Sequence, residues 1–149
     1  MPFQTTKDLI ESIHDYHAAL EDLFGRRASE TVDETSGRML RYLHERERRS
    51  REIVGEIERE GEPRVLRRWF GFTATPVRPA GEDEVQPNME VDQLLALAMS
   101  LQNQLVAYCR RLAEAAPITA VQDLFLGIAR FEEHGLHLLT SASVEMSLP

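Results

Sequence analysis

The chain is predicted to be all-α, a four-helix bundle in which two helical hairpins are joined by a long crossover. Three observations predict it. Apolar residues recur at steps of three and four in four separate stretches, the period of a helix with one buried face. Capping and stop signals bracket those stretches. Between the second and third lies a segment, residues 61–90, whose prolines and glycines break any continuous helix. The 149 residues suit one domain, 1–149, with chain enough for a substantial core.

The first helix is expected from about Thr6 to Arg27, with Thr5 and Asp8 as its N-terminal cap and Ile13, Leu20 and Phe24 on one face. Gly25 should loosen its last turn. The second opens on another start signal, Thr31 with Glu34 three residues on, and runs to about Glu60, where Gly61 and Pro63 stop it. The third spans Val91 to Ala115, with Leu94, Ala98, Leu101, Leu105 and Leu112 inward. Pro117 can open the fourth, because a first turn does not need its missing N–H, and Thr119 with Gln122 offers a slightly later start. Val121, Phe125, Ile128 and Leu139 form its inner face.

Within the crossover, Val65, Leu66, Trp69, Phe70 and Phe72 argue against a loose linker. Its front half should pack on the bundle, in part as a short helix, and the acidic run near Glu82 to Glu84 should stay exposed. Extended chain covers about 3.3 Å per residue, so the segment can traverse a bundle end to end. Trp69, Phe70 and Phe72 are also the best local candidates for an interface patch; packing within the chain is the favoured role, since the crossover needs an anchor.

A formal net charge of −8 argues against general nucleic-acid or anionic-membrane binding. Arg46, Arg48, Arg49 and Arg51 are interleaved with Glu45, Glu47 and Glu52, which reads as a solvated helical face. Cys109 is the only cysteine, so neither an internal disulfide framework nor a pair of Cys-x-x-Cys iron ligands can form. It reads as buried and inert. The opening "MPFQTTKDLIESIHDY" has no secretory pattern and no stretch is apolar for long enough to span a bilayer, so a soluble, cytoplasmic protein is expected.

Chemistry concentrates on two stripes. Leu40, Leu43, Glu47, Ser50, Val54 and Ile57 share a face of the second helix, and Val121, Phe125, Ile128, Glu132, Gly135 and Leu139 share a face of the fourth. Each stripe holds one carboxylate, followed three residues later by a very small residue. The odd-numbered helices also match: "HAALEDLF" from His17 and "QNQLVAYC" from Gln102 both place a polar residue three positions before a leucine. Such a correspondence suggests duplicated hairpins.

In "LLALAMSLQNQLVAYCRRLAEAAP" and "VQDLFLGIARFEEHGLHLL" the chain resembles the ferritin-like superfamily, particularly its rubrerythrin-like bundles. That resemblance implies a di-iron site built from one glutamate on the first and third helices and a Glu-x-x-His pair on the second and fourth. Here His17 and Gln102 stand at the two single-glutamate positions. Glu47 and Glu132 match the paired glutamates, while Ser50 and Gly135 stand where the histidines would be. A conventional carboxylate di-iron centre is therefore not expected. His134 and His137 are out of phase with the stripe, and His14 and His44 lie nearer its edge.

His17, Glu47, Gln102 and Glu132 then have two readings. They form a buried hydrogen-bonded layer that sets helix register, with no cofactor, or they hold one divalent ion, iron, manganese or zinc. The first reading makes the protein a non-catalytic scaffold or protein-interaction protein, with a homodimer expected. The second makes it a metal-binding oxidoreductase or metal-handling protein with an altered mononuclear site. A third role, a small-ligand carrier, would use the space left by Ser50 and Gly135. No nucleophilic triad or phosphate-binding loop accompanies any of them.

Overall fold

The computed structural model describes residues 4–71 and 74–147. Four long helices account for most of them: α1 (Thr6–Glu30), α2 (Glu34–Glu60), α4 (Val91–Ala115) and α5 (Thr119–Ser147). α1 packs on α2 and α4 packs on α5, so the two hairpins of an all-α bundle are present, joined by the crossover. A four-residue helix, α3 (Pro63–Leu66), and two very short strands, β1 (Gln4–Thr5) and β2 (Trp69–Gly71), complete the order.

Local sequence chemistry sets the helix ends. The Thr5 hydroxyl accepts from the Asp8 N–H at 3.1 Å, and the Asp8 carboxylate accepts from the Thr5 N–H at 3.0 Å, so the expected capping box closes α1 at its start. α1 ends later than expected, running through Gly25 to Glu30. Gly25 is needed for closeness, since a Cβ there would lie 2.9 Å from the His44 ring. The α2 start signal also falls elsewhere. Thr31 terminates α1, its hydroxyl donating to the Arg27 carbonyl at 2.6 Å, while Asp33 caps α2 by accepting the Ser36 N–H at 2.9 Å. A carboxylate beside the positive end of a helix dipole is a stronger cap than a threonine hydroxyl. Asn88, at φ 62°, takes the two remaining turn donors, from Val32 at 2.8 Å and Asp33 at 3.1 Å. Pro117 sits in the bend before α5, which starts at Thr119.

The inward faces follow the predicted rhythm. Ile13, Leu20 and Phe24 of α1, Leu40, Leu43 and Val54 of α2, Leu94, Leu101, Leu105 and Leu112 of α4, and Val121, Phe125, Ile128 and Leu139 of α5 are all buried. Each such side chain contributes about 1.5–3 kcal/mol on leaving water, which is why amphipathic helices pair at all.

The crossover is anchored within the chain. β2 pairs antiparallel with β1, a strand pairing with no sequence signal. Leu66, Phe70 and Val85 are buried, and Phe70 packs edge-on against Phe125 with ring centroids 5.5 Å apart. Tyr108 donates its hydroxyl to the Thr75 carbonyl at 2.7 Å, and Arg27 donates to the Val85 carbonyl at 2.9 Å. Trp69 remains 59% exposed, and Phe72 lies outside the described residues. Of the acidic run expected to be exposed, Asp83 and Glu84 are, in a 3-10 turn, while Glu82 is half-buried. Among the described residues no helix is long and apolar enough to cross a membrane.

Candidate functional site

Four helices each send one polar side chain to the same level of the bundle. His17 of α1, Glu47 of α2, Gln102 of α4 and Glu132 of α5 are all at most 2% exposed. Their burial follows from phase: each occupies a stripe position that an apolar residue would otherwise take.

His17 is the centre. Its Nδ1 lies 2.7 Å from Glu47 Oε1, and its Nε2 lies 2.7 Å from Glu132 Oε2. Only an imidazolium donates from both nitrogens, so this arrangement selects the charged ring. Burial by itself would lower the His17 pKa. The charge of Glu132 and the hydrogen bonds that the ring donates to both carboxylates overcome it, and the pKa is raised to about 10. Gln102 closes the other side of Glu132, its amide donating to Oε1 at 3.0 Å and to the backbone carbonyl at 2.7 Å.

A fifth member was not legible as part of the site. The Arg46 guanidinium turns inward, only 10% exposed, and donates from Nη1 to Glu47 Oε2 at 2.7 Å. Its Nη2 lies 2.9 Å from where a Cβ on Gly135 would stand. The reading of residues 46–51 as a solvated face holds for Arg48, which bridges Glu45 and Glu52 on α2. It is wrong for Arg46, because Gly135 leaves a volume across the bundle that a long cationic side chain can enter beside a buried carboxylate. A glycine opposite an arginine that flanks an inward glutamate was the available signal.

The layer is thus two cations against two carboxylates, with all four carboxylate oxygens hydrogen-bonded: two to His17, one to Arg46 and one to Gln102. Among the described residues no buried side-chain nitrogen or oxygen lacks a partner. Neighbouring groups are insulated. Tyr16, edge-on to His17, donates to the Leu101 carbonyl, and burial with the charge of Glu47 raises its pKa. Cys109 is fully buried, and burial with the Glu132 charge pushes its thiol well above its ordinary value, away from the reactive thiolate.

The other histidines stay outside. His44 donates Nδ1–H to the Glu21 carbonyl at 2.7 Å, His14 pairs with Asp15, and His134 and His137 are exposed. Ser50 is half-buried and, with Gly135, lines a groove between α2 and α5.

Two helical hairpins joined by a long crossover are a ferritin-like arrangement. A solved protein from Thermotoga maritima, described as ferritin-like and diiron-carboxylate, shares it with a TM-score of 0.65 at 15% identity over 99% of each chain. No protein-family model and no curated protein matches the sequence.

The residues at the layer do not fit the di-iron group which that description carries. A carboxylate-bridged pair needs several free oxygens and imidazole nitrogens converging on the metals. Here His17 spends both nitrogens on the carboxylates, and the Arg46 guanidinium already holds Glu47 beside Gly135, where the resemblance would put an imidazole. Among the described residues no group of three or more His, Cys, Asp or Glu side chains is arranged to hold a metal ion.

Proposed function

We propose that this chain is a ferritin-like bundle whose ligand positions have degenerated into a metal-free, ion-paired layer, and that it works as a non-catalytic scaffold rather than as an iron oxidoreductase. One observation carries the reading. The Arg46 guanidinium neutralises Glu47 at the spot where the paired motif of α5 has Gly135 in place of an imidazole. A fixed cation there repels an incoming metal ion and occupies an oxygen the ion would need. What the layer does instead is set register, because a one-turn slip of any helix would strand a buried charge.

Elemental analysis of untagged protein, purified without chelator and then incubated with ferrous, manganous or zinc ions, tests this. Metal well below one ion per chain is expected. Near-stoichiometric metal would sink the proposal and favour an altered mononuclear site. A second reading, a small-ligand carrier, is supported by the groove that Ser50 and Gly135 line.

A further inference from the structure

We infer that the groove between α2 and α5 binds a small monocarboxylate with an apolar body. The inference deepens the carrier reading and rests on Arg46 standing at the layer in place of a metal ligand. The groove encloses about 330 Å³. Tyr42, Ile53, Phe131 and Leu138 form apolar walls, and three of them are exposed: Tyr42 and Ile53 at 39% and Leu138 at 51%. Large apolar side chains gathered around one concavity lose water favourably when something apolar covers them.

Arg46 decides the sign of the ligand. Its side chain is nine-tenths buried, yet it makes one hydrogen bond among the described residues, from Nη1 to Glu47, out of the five donors a guanidinium carries. No fully buried side-chain nitrogen there lacks a partner, so Nε and Nη2, which donate to no described residue, keep some contact with solvent, and Arg46 lines the groove. Arg49 and His134 line the same groove and are exposed. Glu132 also lines it, but both its oxygens are already bonded, to His17 and Gln102. A planar carboxylate matches the guanidinium fork, and its alkyl or aryl body would lie along Ile53 and Leu138. The local positive charge also offsets the repulsion that a protein of net charge −8 would exert on an anion.

Sodium octanoate titrated into the full-length protein, with 1-octanol and octylammonium in parallel, tests the inference through the amide chemical shifts of Ser50 and Gly135. Saturable octanoate shifts with a dissociation constant on the order of 1 mM or tighter are expected. Octanol should bind roughly tenfold more weakly and octylammonium not at all. Leu138→Glu and Arg49→Glu, both at exposed positions, should each weaken octanoate at least about tenfold. No saturation, equal binding of octanol, or octanoate binding unchanged by both substitutions overturns the inference. If a variant fails to fold, the octanoate and octanol comparison on the unaltered protein decides. Metal content on the same sample separates the two proposals. A metal-free protein indifferent to octanoate overturns the groove and leaves the ion-paired layer standing, whereas stoichiometric metal overturns the layer.

Discussion

Glu132 illustrates how much one buried side chain can carry. It accepts from His17 and from Gln102, whose helices are α1 and α4, while belonging to α5 itself. Replacing it with alanine removes one carboxylate from a layer of two cations and two anions, leaving a buried cation in excess. Breaking a buried pair in this way costs about 3–5 kcal/mol, more than the side chain's packing would suggest. Chemical denaturation of Glu132→Ala should show a loss of that size, and a loss below about 1 kcal/mol would mean that the layer is water-filled and screened. At this scale the sequence was partly legible. The phase of the α2 and α5 stripes singled out Glu47 and Glu132, because inward position depends only on helical period, while His17 and Gln102 came from the match between the odd-numbered helices and from the positions that the ferritin-like resemblance implies. Arg46 was missed since it lies just off that stripe, and only the glycine on a helix 89 residues away makes room for it.

At the scale of the helix, glycines separate what propensity predicts from what packing imposes. Gly127 is an exposed interior position of α5, and a Cβ there would meet nothing within 4 Å. Gly127→Ala should therefore stabilise the protein by about 0.5–1 kcal/mol, by lowering the entropy of the unfolded chain. Gly25→Ala gains the same entropy but drives a methyl to 2.9 Å from the His44 ring, which is held by the Glu21 carbonyl. Overpacking of that kind costs typically about 1–3 kcal/mol, so the melting temperature should fall. Two melting curves check the pair, and a rise for both would show that α1 and α2 separate easily. The element boundaries follow the same division. The Thr5 box was readable because both partners lie within one turn, whereas the choice of Asp33 over Thr31 depends on Asn88, far along the chain, satisfying the turn between α1 and α2.

For the whole molecule, the charged His17 links folding to pH. Its folded pKa of about 10 stands above the ordinary 6.5, so the native state binds the proton more tightly than the unfolded chain does. The stabilisation is fully present below about pH 6.5 and is lost as pH rises toward 10. Stability measured by urea unfolding should therefore fall steadily between pH 7 and 9, a window below the titration of ordinary lysines and tyrosines. A flat profile across it would show that His17 is neutral in the folded protein. The crossover also acts at this scale: Phe70 against Phe125, and the hydrogen bonds of Thr75 and Val85, hold the two hairpins to a common side.

The sequence by itself determined the four amphipathic helices, their inward faces, the two-hairpin order and the residue types at the polar layer. The helices and their faces depend on periodicity and on neighbours within a turn or two, the hairpin order on the long Pro- and Gly-containing segment 61–90, and the full set of layer positions on the ferritin-like resemblance. Tertiary structure alone decided the β1–β2 pairing, the Asn88 closure of the first hairpin, the burial of Arg46 and the groove beside Ser50 and Gly135. All of these join residues distant in the chain, where the outcome is set by which volume one helix leaves for another and by which buried charge must be neutralised.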